Sequence, residues 1–480
     1  VDIDITKPTI DISYDNNSPR KTVGNRGYYP ANRTAKIVIT ERTGHFEADK
    51  ATAGIKIKAV DSKGEPIVID KKKLEVDEDG YLKDISKLFE NLEWISNKGQ
   101  TSDDATHTLV LPYSYDANYT FAISYKDLAE NINEEVDAAE QKTPYEFTVD
   151  KVDPTATITA NSKSWDKLLE VLTFGLFDGE KVDVSATSDD VTSPIESVKY
   201  YKTDATSVLS DTDLDAVTSW TDITENPTFD ITEDEKFVVY LKVTDYAGNY
   251  LYINADGYIV DKTKALVTLT PEATELSHNG IPLYNEDVDV LINVVEKKDE
   301  SYSGIKEVKY WVTCDGITTQ EEVLYTFDYD MSNYVAESEN VPAYSELLHE
   351  FAKTVTISSA ANNSCDVVLY VKVTDNAGNV ATESKKVDID ITDPTISVKY
   401  DNNSHYNVVE DRGYYPANRT ATIVITERTG HFEADKATAG IKVKAVDSKG
   451  NPIMIGGTPL EVDQDGNIVD ISKLFGAISW

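Results

Sequence analysis

The sequence predicts an all-β chain of tandem Greek-key β-sandwiches, and three observations predict it. Composition favours strands: there are 28 tyrosines but only 2 methionines, and valine, isoleucine and threonine are plentiful. Such residues suit a pleated, half-buried surface. Periodicity agrees, since Ala421–Thr426, 440–446 and 238–243 alternate with period two or run as short buried stretches. Turn signals then separate these runs at regular intervals, among them Asp79-Gly80, Asp465-Gly466 and two Ala-Gly-Asn triplets.

Internal repetition sets the organisation. Residues 1–6 recur at 387–392, and the offset of 386 (387 − 1) holds without a gap until Trp94 matches Trp480. Between 26–64 and 412–450 only Lys36/Thr422 and Ile57/Val443 differ. A second marker recurs more loosely. Leu241-Lys-Val-Thr-Asp-Tyr-Ala-Gly-Asn249 matches Val371-Lys-Val-Thr-Asp-Asn-Ala-Gly-Asn379, with a decayed form ending at Asn131. Each precedes a junction: Val-Asp-Lys at 149–151, Val-Asp-Lys at 260–262, and Ile-Asp-Ile at 389–391. The units are therefore 1–150, 151–260, 261–387 and 388–480, the last a truncated second copy of the first.

Several short strands per unit with regular turns point to immunoglobulin-like sandwiches, and short linkers between them to an elongated rod. The first unit carries a long insertion. In the second, Trp165, Leu168, Leu169 and Leu172 follow Ser164 with helical spacing, which predicts a short amphipathic helix closing that core.

Charge narrows the partners. A net charge of -39 and a pI near 4.4 oppose binding to nucleic acid or to anionic membrane surfaces. No apolar run approaches the roughly 20 residues of a membrane helix, so no membrane insertion is expected in this segment. The sequence holds no Gly-rich phosphate loop, paired-histidine zinc motif or Gly-x-Ser-x-Gly elbow, and no catalytic activity is expected.

Five groups of residues raise the question of something more than folding. The loop 41–54, copied unchanged at 427–440, lies between the strands expected to be B and C. At that end of an immunoglobulin-like sandwich antibodies place their binding loops. It offers Arg42, His45 and Phe46, and in the second copy Arg428, His431 and Phe432. The Arg-Gly-Tyr-Tyr-Pro-Ala-Asn-Arg motif offers Arg26, Tyr28, Tyr29 and Arg33, with Arg412, Tyr414 and Tyr415 in the second copy; tyrosine and arginine are the residues that anchor interfaces. Glu75-x-Asp77-x-Asp79-Gly80 and Glu461-x-Asp463-x-Asp465-Gly466 imitate the start of a calcium loop. The twelfth position is Ser86 or Ser472 rather than glutamate, so no cofactor is expected and calcium is the one open alternative. Asp245/Asn249 and Asp375/Asn379 read as hairpin-building residues. Finally, Cys314 and Cys365 are expected to face each other across strands C and F of the third unit, close enough for a disulfide.

The Arg412–Arg428 stretch, the Val-Thr-Asp-x-Ala-Gly-Asn hairpins, the Val-Asp-Lys junctions and Ser162-Lys-Ser-Trp-Asp-Lys-Leu-Leu169 carry a resemblance. The chain resembles the immunoglobulin-like repeats of very large Gram-positive cell-surface proteins, especially those of gut clostridia. The resemblance implies an extracellular, cell-surface or secreted location and a non-catalytic protein. Some such proteins are adhesins and some are immunoglobulin-binding B-cell superantigens, so it implies a host protein as partner, with immunoglobulin the sharpest case. A passive stalk presenting a distal effector, or a glycan-binding adhesin, is the alternative. No short motif marks the immunoglobulin binders, so no binding residue is carried over.

Overall fold

A computed structural model of the chain describes residues 3–15, 18–98, 104–133, 146–296, 301–400 and 405–480. Alternation of apolar and polar residues does what the sequence requires of it. Along Arg33–Arg42 the side chains of Ala35, Ile37 and Ile39 are fully buried while Lys36 is exposed. Burying each such aliphatic side chain is worth about 1.5–3 kcal/mol.

In the first unit one sheet has the spatial order Thr9–Tyr14, Arg33–Arg42, Asp104–Tyr113, Ile95–Lys98. The other runs Lys21–Val23, Arg26–Tyr29, Glu146–Val149, Ala117–Ile123, Ile55–Val60. These are the A-B-E-D and A′-G-F-C orders of an immunoglobulin-like sandwich. The Tyr-Tyr motif is the A′ strand: Arg26–Tyr29 runs parallel to the last strand, with Phe147 opposite Gly27. The insertion between Val60 and Ile95 adds Leu74, Leu82, Ile85, Leu88 and Phe89 to the core.

The second and third units repeat this plan. Leu176–Asp178 runs parallel to Tyr258–Val260, and Ile281–Tyr284 runs parallel to Val380–Ile389. In both, strand C lies against strand F, as Ile195–Thr203 against Glu235–Asp245 and Ile305–Cys314 against Val367–Asp375. The all-β, tandem immunoglobulin-like reading therefore holds.

Two local expectations do not. The stretch after Ser164 is no helix: Lys163–Trp165 is a strand, and 166–175 is irregular. Its amides are taken by side chains instead. Leu169 N donates to Asn254 Oδ1 at 2.7 Å and Thr173 N to Asp256 Oδ1 at 2.8 Å. Leu169 and Leu172 are buried as expected, so the apolar spacing served an irregular wrap over the core rather than a helical turn. A short helix does occur nearby, at Asp211–Asp215, where Ser210 and Asp213 form a capping box.

The cysteines are both free. Cys314 pairs with Val367, where strand F begins, so Cys365 lies two residues before its ladder partner, exposed in the preceding bend. The cross-strand alignment needed for the expected disulfide is thus missed.

The calcium-like loops are hairpins closed by their own aspartates. Asp77 Oδ1 accepts from Asp79 N and Tyr81 N at 3.0 and 2.9 Å, and Asp463 Oδ1 accepts from Asp465 N and Asn467 N at 3.0 and 2.8 Å.

The second copy, 388–480, is less ordered in its pairing. Thr395–Tyr400 pairs with Ala421–Thr426, yet every residue of the former is exposed. The counterpart of Ile55–Val60, residues 441–446, forms no strand. In this chain that copy has no counterpart of Ala117–Ile123, the strand against which Ile55–Val60 is held in the first.

Candidate functional site at the unit junctions

Every unit opens on a linker aspartate, and three side-chain positions gather round it. The first is that aspartate: Asp4, Asp150 and Asp261. The second is an acid at the end of strand B: Glu41, Asp190 and Glu296. The third opens the F–G hairpin: Asp127, Asp245 and Asp375.

The hairpin geometry is the same each time. Asp245 Oδ1 accepts from Gly248 N and Asn249 N at 2.6 and 3.0 Å, and Oδ2 from Asn249 Nδ2 at 2.7 Å. Gly248 has φ 97° and Gly378 φ 93°, a conformation a side chain would strain. The Asx reading of these pairs therefore stands, but the asparagine also reaches out. Asn131, Asn249 and Asn379 each donate from Nδ2 to the backbone oxygen of the linker aspartate, at 3.2 Å to Asp4, 3.1 Å to Asp150 and 2.7 Å to Asp261. The hairpin thereby clasps the linker that leads into its own unit.

The loop 41–54 belongs to this junction. Arg42 donates from Nη1 to Ile3 O at 2.9 Å, and His45 Nδ1 lies 2.6 Å from Asp4 Oδ2. Phe46 stacks on His107 at 3.8 Å and meets Trp94 and Tyr125. In the second copy Arg428 donates to Ile389 O at 2.6 Å in its own linker and to Asn363 O at 3.1 Å in the preceding unit. His431 lies between Asp390 and Asp388 at 2.6 and 2.8 Å, and Phe432 packs against Trp480. Burial pushes the His431 pKa down, but hydrogen bonds to and charges of Asp388 and Asp390 outweigh it, so it is raised.

The Tyr-Tyr motif faces inward and forward. Arg26 donates to Tyr119 O and Phe147 O at 3.2 and 3.1 Å. Arg33 is 1% exposed, with its guanidinium 4.0, 4.2 and 4.8 Å from the rings of Tyr14, Tyr29 and Phe147. Tyr28 meets Tyr246 of the second unit edge-on at 5.1 Å. In the second copy Arg412 and Tyr414 are exposed, and Arg419 stacks over Tyr415. Phe46, Tyr28, Tyr29 and Arg33 are thus occupied within the chain, and the structure brings the two candidate motifs to opposite ends of the unit, not to one surface.

Sequence reasoning passed over Asp150, Asp190, Asp261 and Glu296. The signal was present in the recurring Val-Asp-Lys junctions and their pairing with each Asp-x-Ala-Gly-Asn hairpin. The strand-B acid carried none.

No family model matches the chain, and no curated protein does. Among solved structures, it is similar at 14% identity to the fibronectin(III)-like modules of Clostridium thermocellum CbhA, over 48% of this chain and 94% of that one, with a TM-score of 0.20. It is similar at 12% identity to a tetra-tandem repeat from the extending region of a large adhesion protein, over 88% of each chain, with a TM-score of 0.28. A complex of Dpr2 and DIP-Theta immunoglobulin domains matches at 6% identity over 80% of this chain and all of that one, with a TM-score of 0.27. Likeness at these levels assigns no activity.

Proposed function

We propose that this chain is a non-catalytic spacer segment of an extracellular surface protein, a series of immunoglobulin-like units that holds another part of the protein away from its anchor. The observation that carries this reading is the repeated junction. Three linker aspartates are clasped by three hairpin asparagines in the same way. The side chains best suited to anchor a partner, Arg42, His45, Phe46, Tyr28 and Arg33, are spent inside the chain. Immunoglobulin binding, which the resemblance implies, is left with the exposed Arg412 and Tyr414 of the second copy and with other surfaces. The high negative charge suits a solvated spacer.

The test is retention from serum and mucin on the immobilised full chain. A spacer retains neither immunoglobulin nor any other serum or mucin component at micromolar protein. Saturable capture of immunoglobulin, abolished by substitutions on an exposed face, would replace the spacer reading with the binder.

A further inference from the structure

The junctions differ in how their carboxylates are compensated. At the head of the first unit Glu41 and Asp4 have His45 and Arg42 beside them. At the head of the second copy Asp388 and Asp390 have Arg428 and His431. Among the described residues the third unit has no such group. There one oxygen from each of Asp261, Glu296 and Asp375 lies within 4.8 Å of the others, and all three residues are buried. Burial first, and then the repulsive charges of Asp375 and Asp261, disfavour the charged form of the Glu296 carboxyl.

Most of the oxygens are tied down. Asp261 accepts from Thr263 N and Ser303 N at 3.0 and 2.8 Å, Asp375 from Asn379 N and Nδ2 at 2.8 Å each, and Glu296 Oε2 from Gly304 N at 2.9 Å. One is not. Glu296 Oε1 is buried without a hydrogen-bond partner, in a residue only 3% exposed. A buried carboxylate oxygen with two further carboxylates beside it and no cation among the described residues is costly, and a structure keeps such a group where something else satisfies it.

We infer that Asp261, Glu296 and Asp375 hold a calcium ion at the junction between the second and third units. The donor set is oxygen only, which excludes the soft metals and favours a hard divalent cation. Calcium takes six to eight oxygens in flexible geometry, whereas magnesium demands a near-ideal octahedron and keeps several of its waters, so carboxylates gathered from a linker, a strand end and a hairpin suit calcium. The same positions one unit earlier are Asp150, Asp190 and Asp245, likewise buried and gathered within 4.8 Å.

The test is calorimetric titration of the chelator-treated full chain with calcium chloride alone. Saturable uptake is expected, with dissociation constants in the about 0.1–1 mM range of extracellular modules or tighter. Glu296→Gln keeps the shape and removes the charge. It is expected to lose one equivalent of calcium while keeping its near-ultraviolet circular dichroism, and Asp375→Asn should lose the same equivalent. Glu41→Gln, at the junction served by His45, keeps the parent stoichiometry. Absence of saturable uptake up to 10-fold above that range, or an unchanged number of equivalents in both folded variants, overturns the assignment.

Discussion

Arg33 shows how far context decides what a residue contributes. Its guanidinium is sandwiched by Tyr14, Tyr29 and Phe147, and its Nε and Nη1 are buried without hydrogen-bond partners. The ring faces do the work of acceptors, and a desolvated cation–π contact is worth about 2 kcal/mol. Truncation also leaves a cavity between three rings. Arg33→Ala should therefore destabilise the first unit by about 3 kcal/mol in urea unfolding. Arg419, its copy, stacks over Tyr400 and Tyr415 but has no counterpart of Phe147 in this chain, so Arg419→Ala should cost less than about 1 kcal/mol. Equal effects would mean that the third ring and the burial it brings are irrelevant. His431 gives a second test, by pH. The groups facing it are Asp388, Asp390, Arg428 and His278. Its folded pKa is raised, so its contribution to docking is complete below the ordinary histidine value of about 6.5 and is lost as pH rises through the raised value. Amide exchange in the 427–433 loop should accelerate beyond the intrinsic pH effect over that window, and His431→Asn should abolish the excess. An excess that survives the substitution would exclude His431 as its source.

At the scale of elements, the same sequence in two settings separates local propensity from tertiary support. Residues 55–60 and 441–446 differ at one position, Ile57/Val443, yet only the first form a strand. The missing ingredient is the partner strand: Ile57 is fully buried opposite Phe121 in the first copy. In the second copy the unpaired faces border an open groove of about 1190 Å³ lined by Ile396, Val398, Ile423, Ile425, Phe475 and Trp480. A peptide spanning 104–123, which supplies the partners of both 33–42 and 55–60, should dock there by strand addition. Amides of 421–426 and 441–446 should then exchange at least about tenfold more slowly, which about 1.4 kcal/mol of pairing suffices to produce. A scrambled peptide that protects equally would point to nonspecific binding instead. This contrast also explains what was legible in the sequence. Period-two segments announced the strands, and the hairpin aspartates announced their turns. Trp165, Leu168, Leu169 and Leu172 misled because an apolar spacing of three and four fits any wrap that returns to the core. The Cys314–Cys365 pairing failed on where strand F begins, a boundary that alternation does not mark. The acidic junctions stayed hidden because their three members come from a linker, the end of strand B and a distant hairpin.

Across the whole molecule, the junctions differ in the kind of contact they make, and this orders how the units unfold. Between the first and second units, Tyr28 meets Tyr246, and Lys21 and Arg20 pair with Glu196 at 3.1 and 3.4 Å. The aromatic contact is worth about 0.5–1.5 kcal/mol and part-exposed ion pairs at most about 1 kcal/mol, so this coupling is modest. Between the second and third units the contact is of another kind. The third unit sends a long segment between Thr326 and Glu350 over the second, and Tyr334 and Val341 join the second unit's own hydrophobic core beside Trp165, Leu169 and Tyr258. The Tyr334 hydroxyl donates to Asp256 Oδ2 at 2.8 Å and accepts from Trp165 Nε1 at 3.3 Å. Tyr329 adds a bond to Gly175 O at 2.8 Å. Part of one unit's core is thus built from the next unit's chain, and neither can lose its fold without exposing the other. Calorimetry of the full chain should accordingly show the second and third units melting in one transition, with the first unit separate. Tyr334→Ala removes the ring from that core and leaves Asp256 Oδ2 and the Trp165 indole without this partner. It should cost about 3–5 kcal/mol and split the joint transition in two. Tyr28→Ala also removes a buried ring and should lower the first unit's transition by about 3 kcal/mol, yet change no transition count. Independent melting of the second and third units in the unsubstituted chain would show that the inserted segment packs without coupling them.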